Sequence, residues 1–194
     1  MAGNLTDGGR RRGSRWRIAA WAAAALLLLL PLFAMQVTDQ VSWDVADFAL
    51  FGAFLVGAGL TFELAARKTG NTAYRAAAGV ALAAAVILVW MNLAVGVIGT
   101  ERDNANLMYG GVLAVGIIGA IIARFQPDGM ARAMFATGLA QALVAVIALL
   151  AGLGSPRSEP GEILVLNGFF VVLFVGSAWL FRRAVRGRAE QRTG

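Results

Sequence analysis

Residues 76–99 read AAAGVALAAAVILVWMNLAVGVIG, and no charged side chain falls among them. As one helix, a run of that length rises about 36 Å at 1.5 Å per residue. The hydrocarbon core of a bilayer is about 30 Å thick. Working outward in both directions, five more apolar runs of similar length follow, at about 16–36, 45–66, 107–123, 133–153 and 163–181. A chain of 194 residues, 59% hydrophobic and with mean hydropathy +0.70, is too apolar for a water-soluble domain of that size. In lipid each segment must satisfy its own backbone hydrogen bonds, which leaves helices or closed barrels. Runs such as ALLLLL do not alternate as barrel strands do. The expectation is an all-α, polytopic transmembrane bundle of six helices built from short-looped hairpins. A basic tail at 1–15 and another at 183–194 flank a membrane domain at 16–182.

Charge placement orients the bundle. With the N-terminus in the cytoplasm and six spans alternating, every one of the 17 cations except Arg102 and Arg157 falls on the cytoplasmic side. Asp39, Asp44, Asp47, Glu101, Asp103, Glu159 and Glu162 fall on the other. That is the positive-inside pattern, and it predicts both termini inside, with the chain in a bacterial inner (plasma) membrane. The net charge of +6 then follows from topology. A nucleic-acid partner is not expected, because no soluble domain is there to present a basic face. RRRGSRWR followed by an apolar run has the outline of a signal peptide, but Pro31 interrupts the run and PLFAMQV offers no small-x-small cleavage site. The first span therefore reads as retained. The tail FRRAVRGRAEQR is suited to anionic lipid headgroups at the cytoplasmic face. Trp16, Trp21, Trp43 and Trp179 fall near membrane boundaries as an aromatic belt, whereas Trp90 lies inside its span.

The absences narrow the chemistry. Without His or Cys, histidine-ligated haem, iron–sulfur clusters, the usual zinc sites and nucleophile–His arrangements are all disfavoured. Lys68 is the sole lysine and sits in a loop, which disfavours a retinal Schiff base within a helix. It follows Arg67 rather than Gly, so no phosphate-binding loop is present. Catalysis would rest on carboxylates, amides and hydroxyls alone, and the reading leans away from an enzyme.

The even-numbered spans resemble one another. A shift of 58 residues pairs Gly52 with Gly110 and Gly110 with Gly168, and each copy ends in arginine: Arg67, Arg124, and Arg182 with Arg183. A shift of 59 instead aligns Asp44-x-Ala-Asp47-Phe48 with Asp103-x-Ala-Asn106-Leu107. Duplication and convergence on one design of span both fit. Gly79-x3-Ala83, Gly116-x3-Ala120 and Gly138-x3-Ala142 supply the small faces on which membrane helices meet. One such face is free for a second protomer or a membrane-complex partner.

Polar residues fall into two groups. Asp44, Asp103 and Glu159 stand where the second, fourth and sixth spans begin, and read as helix caps against unpaired N–H groups and the positive end of the dipole. Asn92, Gln141 and Asn167 lie inside apolar runs instead. If the third helix runs to Thr100, Asn92 is about 12 Å below its end, with Gly96 and Gly99 on the same face. Amides at depth commonly bond a neighbouring helix. The functional reading is a polar site open to the periplasm, built from Asn92, Asp47 and Asn106 with Trp90 as its wall, and with Gln141 and Asn167 at depth. Asp47 matters because a carboxylate within the membrane boundary is a functional hypothesis by default.

WRIAAW…LLLLLPLFAMQ, W-D-x2-DF, and NLAVGVIG followed by D-N-x-NLMYGGVLAVG resemble an uncharacterised family of bacterial multi-pass integral membrane proteins. The resemblance covers nearly the whole chain and implies membrane residence, with no catalytic or binding residue carried over. Two functions remain open: binding or permeation of a small solute or ion through the polar cluster, and a non-catalytic accessory or assembly role in a larger membrane complex.

Overall fold

The computed structural model describes residues 7–38 and 41–193, and the regular structure among them is helical throughout. Six α-helices follow in order: α1 (Asp7–Val37), α2 (Val45–Lys68), α3 (Thr72–Ala94), α4 (Leu107–Ile122), α5 (Pro127–Leu150) and α6 (Pro160–Thr193). A single 3-10 turn, Asn104–Asn106, leads into α4. Five helices, α2 to α6, are long and apolar enough to cross a membrane. The described apolar part of α1 is shorter, Trp21–Val37, so five spans rather than six meet the length among the described residues. The side chains at 10–12, 15–17, 68, 188 and 192, which carry much of the expected basic flank, lie outside those described.

Local chemistry sets the boundaries, and several move from the sequence reading: α1 begins at Asp7 rather than 16, and α6 runs to Thr193 rather than 181, through the stretch expected as a basic tail. α3 begins at Thr72 because Asn71 precedes it in extended backbone and accepts the Tyr74 N–H at 3.1 Å. It ends at Ala94, not at residue 99. Gly96 takes φ +75° and Gly99 φ +71°, a region open to glycine and costly for residues with a Cβ. α5 starts six residues earlier than its apolar run, at Pro127, which fits the first helical position because its missing N–H would be unpaired there anyway.

The chain divides into two compact units, Met1–Gly59 and Leu60–Gly194. Within the first, α1 continues through Pro31. Trp43 is buried, with edge-on contacts to Phe48 and Phe51, and Gly59 lies so close to the Trp21 indole that a Cβ there would sit 3.0 Å from it.

In the second unit, α6 packs against both α3 and α5, and α4 packs against α5. The α3 face is alanine (Ala77, Ala78, Ala81, Ala84), which lets the Phe170, Phe174 and Phe181 ridge of α6 enter the core. Ser177 donates to the Ala77 carbonyl at 2.9 Å, and Phe181 meets the Tyr74 ring edge-on. The α4–α5 crossing is closer still, since a Cβ on Gly119 would stand 2.7 Å from that of Ala133. Where α4 turns into α5, Arg124 and Phe125 both have positive φ. The Phe125 carbonyl accepts the Tyr74 hydroxyl at 2.8 Å and anchors that turn.

The outer surface is unlike that of a soluble bundle. Small residues fill much of the interior, while Ile122 (76% exposed), Leu150 (85%), Val165 (71%) and Val172 (70%) point outward. In water this much contiguous apolar surface drives association. Against lipid tails it is the required exterior, and the molecule has the form of a multi-pass membrane protein.

Candidate functional site

Three buried polar side chains meet in the second unit, one from each of α4, α5 and α6. The Tyr109 hydroxyl donates to Asn167 Oδ1 at 3.0 Å, and Gln141 Nε2 donates to the same oxygen at 2.9 Å. Asn167 Nδ2 donates in turn to the Ile163 carbonyl at 2.8 Å. Gln141 is 0% exposed, and Asn167 and Tyr109 are each 1% exposed, so the node is enclosed. Its depth follows from helix positions. Gln141 lies nine residues before the end of α5 and Asn167 seven after the start of α6, about 10–14 Å along each helix.

The bonds orient every amide in the node. The Ile163 carbonyl accepts only a donor, which fixes Asn167 Nδ2 there and turns its Oδ1 toward Tyr109 and Gln141. Two donors then converge on that oxygen, which fixes Gln141 Nε2 and turns its carbonyl oxygen away. Gln141 Oε1 is buried with no hydrogen-bond partner. A buried acceptor left in this condition costs about 1–3 kcal/mol, more than the roughly 0.6–2 kcal/mol that one interhelical bond returns in a membrane. One turn before Gln141, the buried Thr137 donates its hydroxyl proton to Ala133 O at 2.9 Å. A Cβ at Gly116 of α4 would stand 3.2 Å from that hydroxyl.

Tyr109 is the member of the node that sequence reading missed. The shift of 58 residues that pairs Gly110 with Gly168 also pairs Tyr109 with Asn167, and these two side chains are hydrogen-bonded.

Asn106 belongs to different work. Its Oδ1 accepts the Val97 and Ile98 N–H groups at 3.0 and 3.1 Å, and its Nδ2 donates to the Ile98 and Thr100 carbonyls. One buried amide thereby replaces the helical bonds that residues 97–100 lose when α3 stops. This segment folds back into the core, with Val97 and Ile98 almost wholly buried. Ser158 completes the join by accepting the Gly99 N–H at 2.9 Å. Asp103 was expected to cap the fourth span. It stands before the 3-10 turn, but its carboxylate reaches back to accept the Thr100 N–H and hydroxyl, and makes no cap bond. The backbone already turns there, which leaves the side chain nearer Thr100 than the helix start.

Asn92 sits in the last turn of α3 rather than at depth, because the helix ends at Ala94. Gly96 and Gly99 lie beyond the helix and cannot share its face. Asn92 Nδ2 donates to the Leu88 carbonyl at 2.8 Å on its own helix, while its Oδ1 and Trp90 Nε1 are buried without partners. Residues two apart on a helix point nearly opposite ways, so these atoms do not form one site.

Asp44 and Asp47 lie in the first unit and close a reciprocal cap on α2. Asp44 Oδ1 accepts the Ala46 and Asp47 N–H groups, and the Asp44 N–H donates to Asp47 Oδ2 at 3.0 Å. The Asp47 carboxylate is thus engaged at its own helix start. Glu159 immediately precedes Pro160, and its carbonyl accepts the Ile163 N–H. Glu63 pairs with Arg67, and Asp128 with Arg132, each one helical turn apart. A cleft of about 350 Å³ opens between the 95–106 and 151–159 loops, lined by Gly99, Thr100, Asp103, Gly154, Pro156 and Arg157.

Among the described residues no group of three or more His, Cys, Asp or Glu side chains is placed to hold a metal ion. The chain matches no protein-family model, no curated protein and no solved structure.

Proposed function

We propose that this chain is an integral protein of the bacterial inner membrane that binds or passes a small solute or ion at the Tyr109–Gln141–Asn167 node. One observation carries the reading: polar side chains from three helices converge inside an apolar bundle and leave Gln141 Oε1 without a donor. A purely structural staple between helices would pair its atoms, whereas a solute station keeps one open. In this reading α1 is the sixth span and both termini are cytoplasmic, since that arrangement alone places nearly all cations on one side. The node then lies toward the periplasm, beneath the 95–106 and 151–159 loops, and the basic end of α6 meets anionic headgroups. Arg183 stacked over the exposed Trp179 ring, 3.7 Å from its centroid, suits that boundary.

The flux test uses proteoliposomes loaded with reporters for potassium, chloride, protons and osmotic volume. At least one flux exceeds that of protein-free vesicles, and Gln141→Leu and Asn167→Leu abolish it while the protein remains monodisperse. Flux unchanged by both substitutions removes the node from the path. Fusing a fluorescent protein or alkaline phosphatase to each terminus tests the orientation: fluorescence without phosphatase activity is expected at both ends.

The accessory reading has a separate observation behind it. A Cβ at Gly110 or Gly111 of α4, or at Gly168 or Gly176 of α6, would meet nothing within 4 Å, which leaves small-residue surfaces uncovered within the second unit. Recovery of a stoichiometric partner from native membranes in mild detergent supports that role, and a lone homodimer counts against it.

A further inference from the structure

The ligand class can be narrowed from the chemistry around the open oxygen, given the reading of the node as a solute site. A phenol, two primary amides and the Thr137 hydroxyl carry no formal charge. One turn along the three helices stand Val112, Gly138, Val144, Ala145, Ile163 and Phe170, all buried and apolar. Glu162, the nearest charged residue along α6, is exposed in its first turn.

An ion entering this position would exchange its hydration shell for one free carbonyl oxygen, and no counter-charge offsets the loss. An anion is further disfavoured, because the atom left open is an acceptor. A divalent cation needs six or more oxygens, normally with carboxylates among them. What satisfies the atom is a neutral donor. The enclosure of Gln141, Asn167 and Tyr109 restricts such a donor to very few heavy atoms.

We infer that Gln141 Oε1 accepts a hydrogen bond from one small uncharged donor, of the size of water or ammonia, and that the node discriminates against ions.

The test exploits a convenience of the sequence: Gln141 is the sole glutamine preceded by alanine. Labelling the full chain with carbonyl-13C alanine and 13C,15N-glutamine therefore identifies Gln141 in bilayers without any substitution. Water-edited solid-state NMR then reads whether solvent protons reach its side-chain amide, with the glutamine signals that lack a labelled alanine neighbour, the exposed Gln126 among them, as the internal reference. Transfer to Gln141 in plain buffer identifies the donor as water. Transfer that arises only on adding ammonium at alkaline pH identifies ammonia. If the reference signals respond and Gln141 stays dark under both conditions, the inference is overturned.

Flux separates this from the broader reading. Osmotic or ammonia flux lost in Gln141→Met, with potassium and chloride fluxes at the vesicle background throughout, supports the inference. Potassium or chloride flux that Gln141→Met abolishes overturns it while leaving the node a permeation site. A responding Gln141 without flux of any kind supports the donor site and ends the permeation reading.

Discussion

At the residue scale, Asn106 carries more of the fold than any residue in its loop. It satisfies two backbone N–H groups and two carbonyls that would otherwise be stranded. Asn106→Leu strands all four, and the expected loss is about 2–4 kcal/mol, taking 1–3 kcal/mol per buried unpaired group with partial relaxation. Asn106→Asp should not rescue it, because the carbonyls of Ile98 and Thr100 face a nitrogen that donates, and a carboxylate oxygen there repels them. Unfolding in mild detergent, followed by helical signal, measures both. A paired glycine experiment isolates backbone geometry. Gly99→Ala meets a positive φ and places its Cβ 2.0 Å from Asp103 Oδ2, so a loss of about 1–3 kcal/mol is expected. Gly110→Ala, in the first turn of α4 with open space around it, is expected to be neutral or stabilising by up to about 1 kcal/mol. If the two glycines respond alike, the loop geometry described above is wrong.

At the element scale, the α4–α5 crossing rests on Gly119 facing Ala133. Gly119→Val drives its Cβ into that contact, 2.7 Å away, and should destabilise by about 1–3 kcal/mol. Gly168→Val on the open side of α6 should not, and a thermal-shift comparison of the two variants decides. The elements also show what hydropathy can and cannot reveal. Apolar runs located five crossing helices because lipid leaves a chain little alternative. The same signal misplaced the end of α3, because Val95–Gly99 is as apolar as the helix before it. Those residues form a loop that buries Val97 and Ile98, and hydropathy does not report backbone geometry. The left-handed glycines and the amide of Asn106 decide the geometry, and the latter acts from beyond the run. Asn167 and Gln141 were legible as amides within apolar runs, but not their meeting, which depends on how α4, α5 and α6 are rotated about their axes. Asn92 was misjudged for the reason α3 was: its depth depended on where the helix ends.

At the scale of the whole molecule, the exposed large aliphatic side chains predict membrane behaviour directly. The protein should stay with membranes after high-salt and alkaline carbonate washing, and release only in detergent. Release by salt would mean that charge, rather than the outward Ile, Leu and Val side chains, holds it there. The position of α6 has a further consequence, for the order in which the molecule is made. α3 and α5 both rest on α6, which leaves the ribosome after them, through Ser177 to Ala77 across 100 residues and through the paired amides of Gln141 and Asn167. Even the loop after α3 waits for Ser158. Until residues 158 onward arrive, a nascent chain holds Tyr109 and Gln141 without their shared acceptor, and a loop fastened by Asn106 but not yet by Ser158. Synthesis should therefore pass through a stage that is inserted but not assembled, in which the 95–106 loop is open to a protease that the finished protein resists.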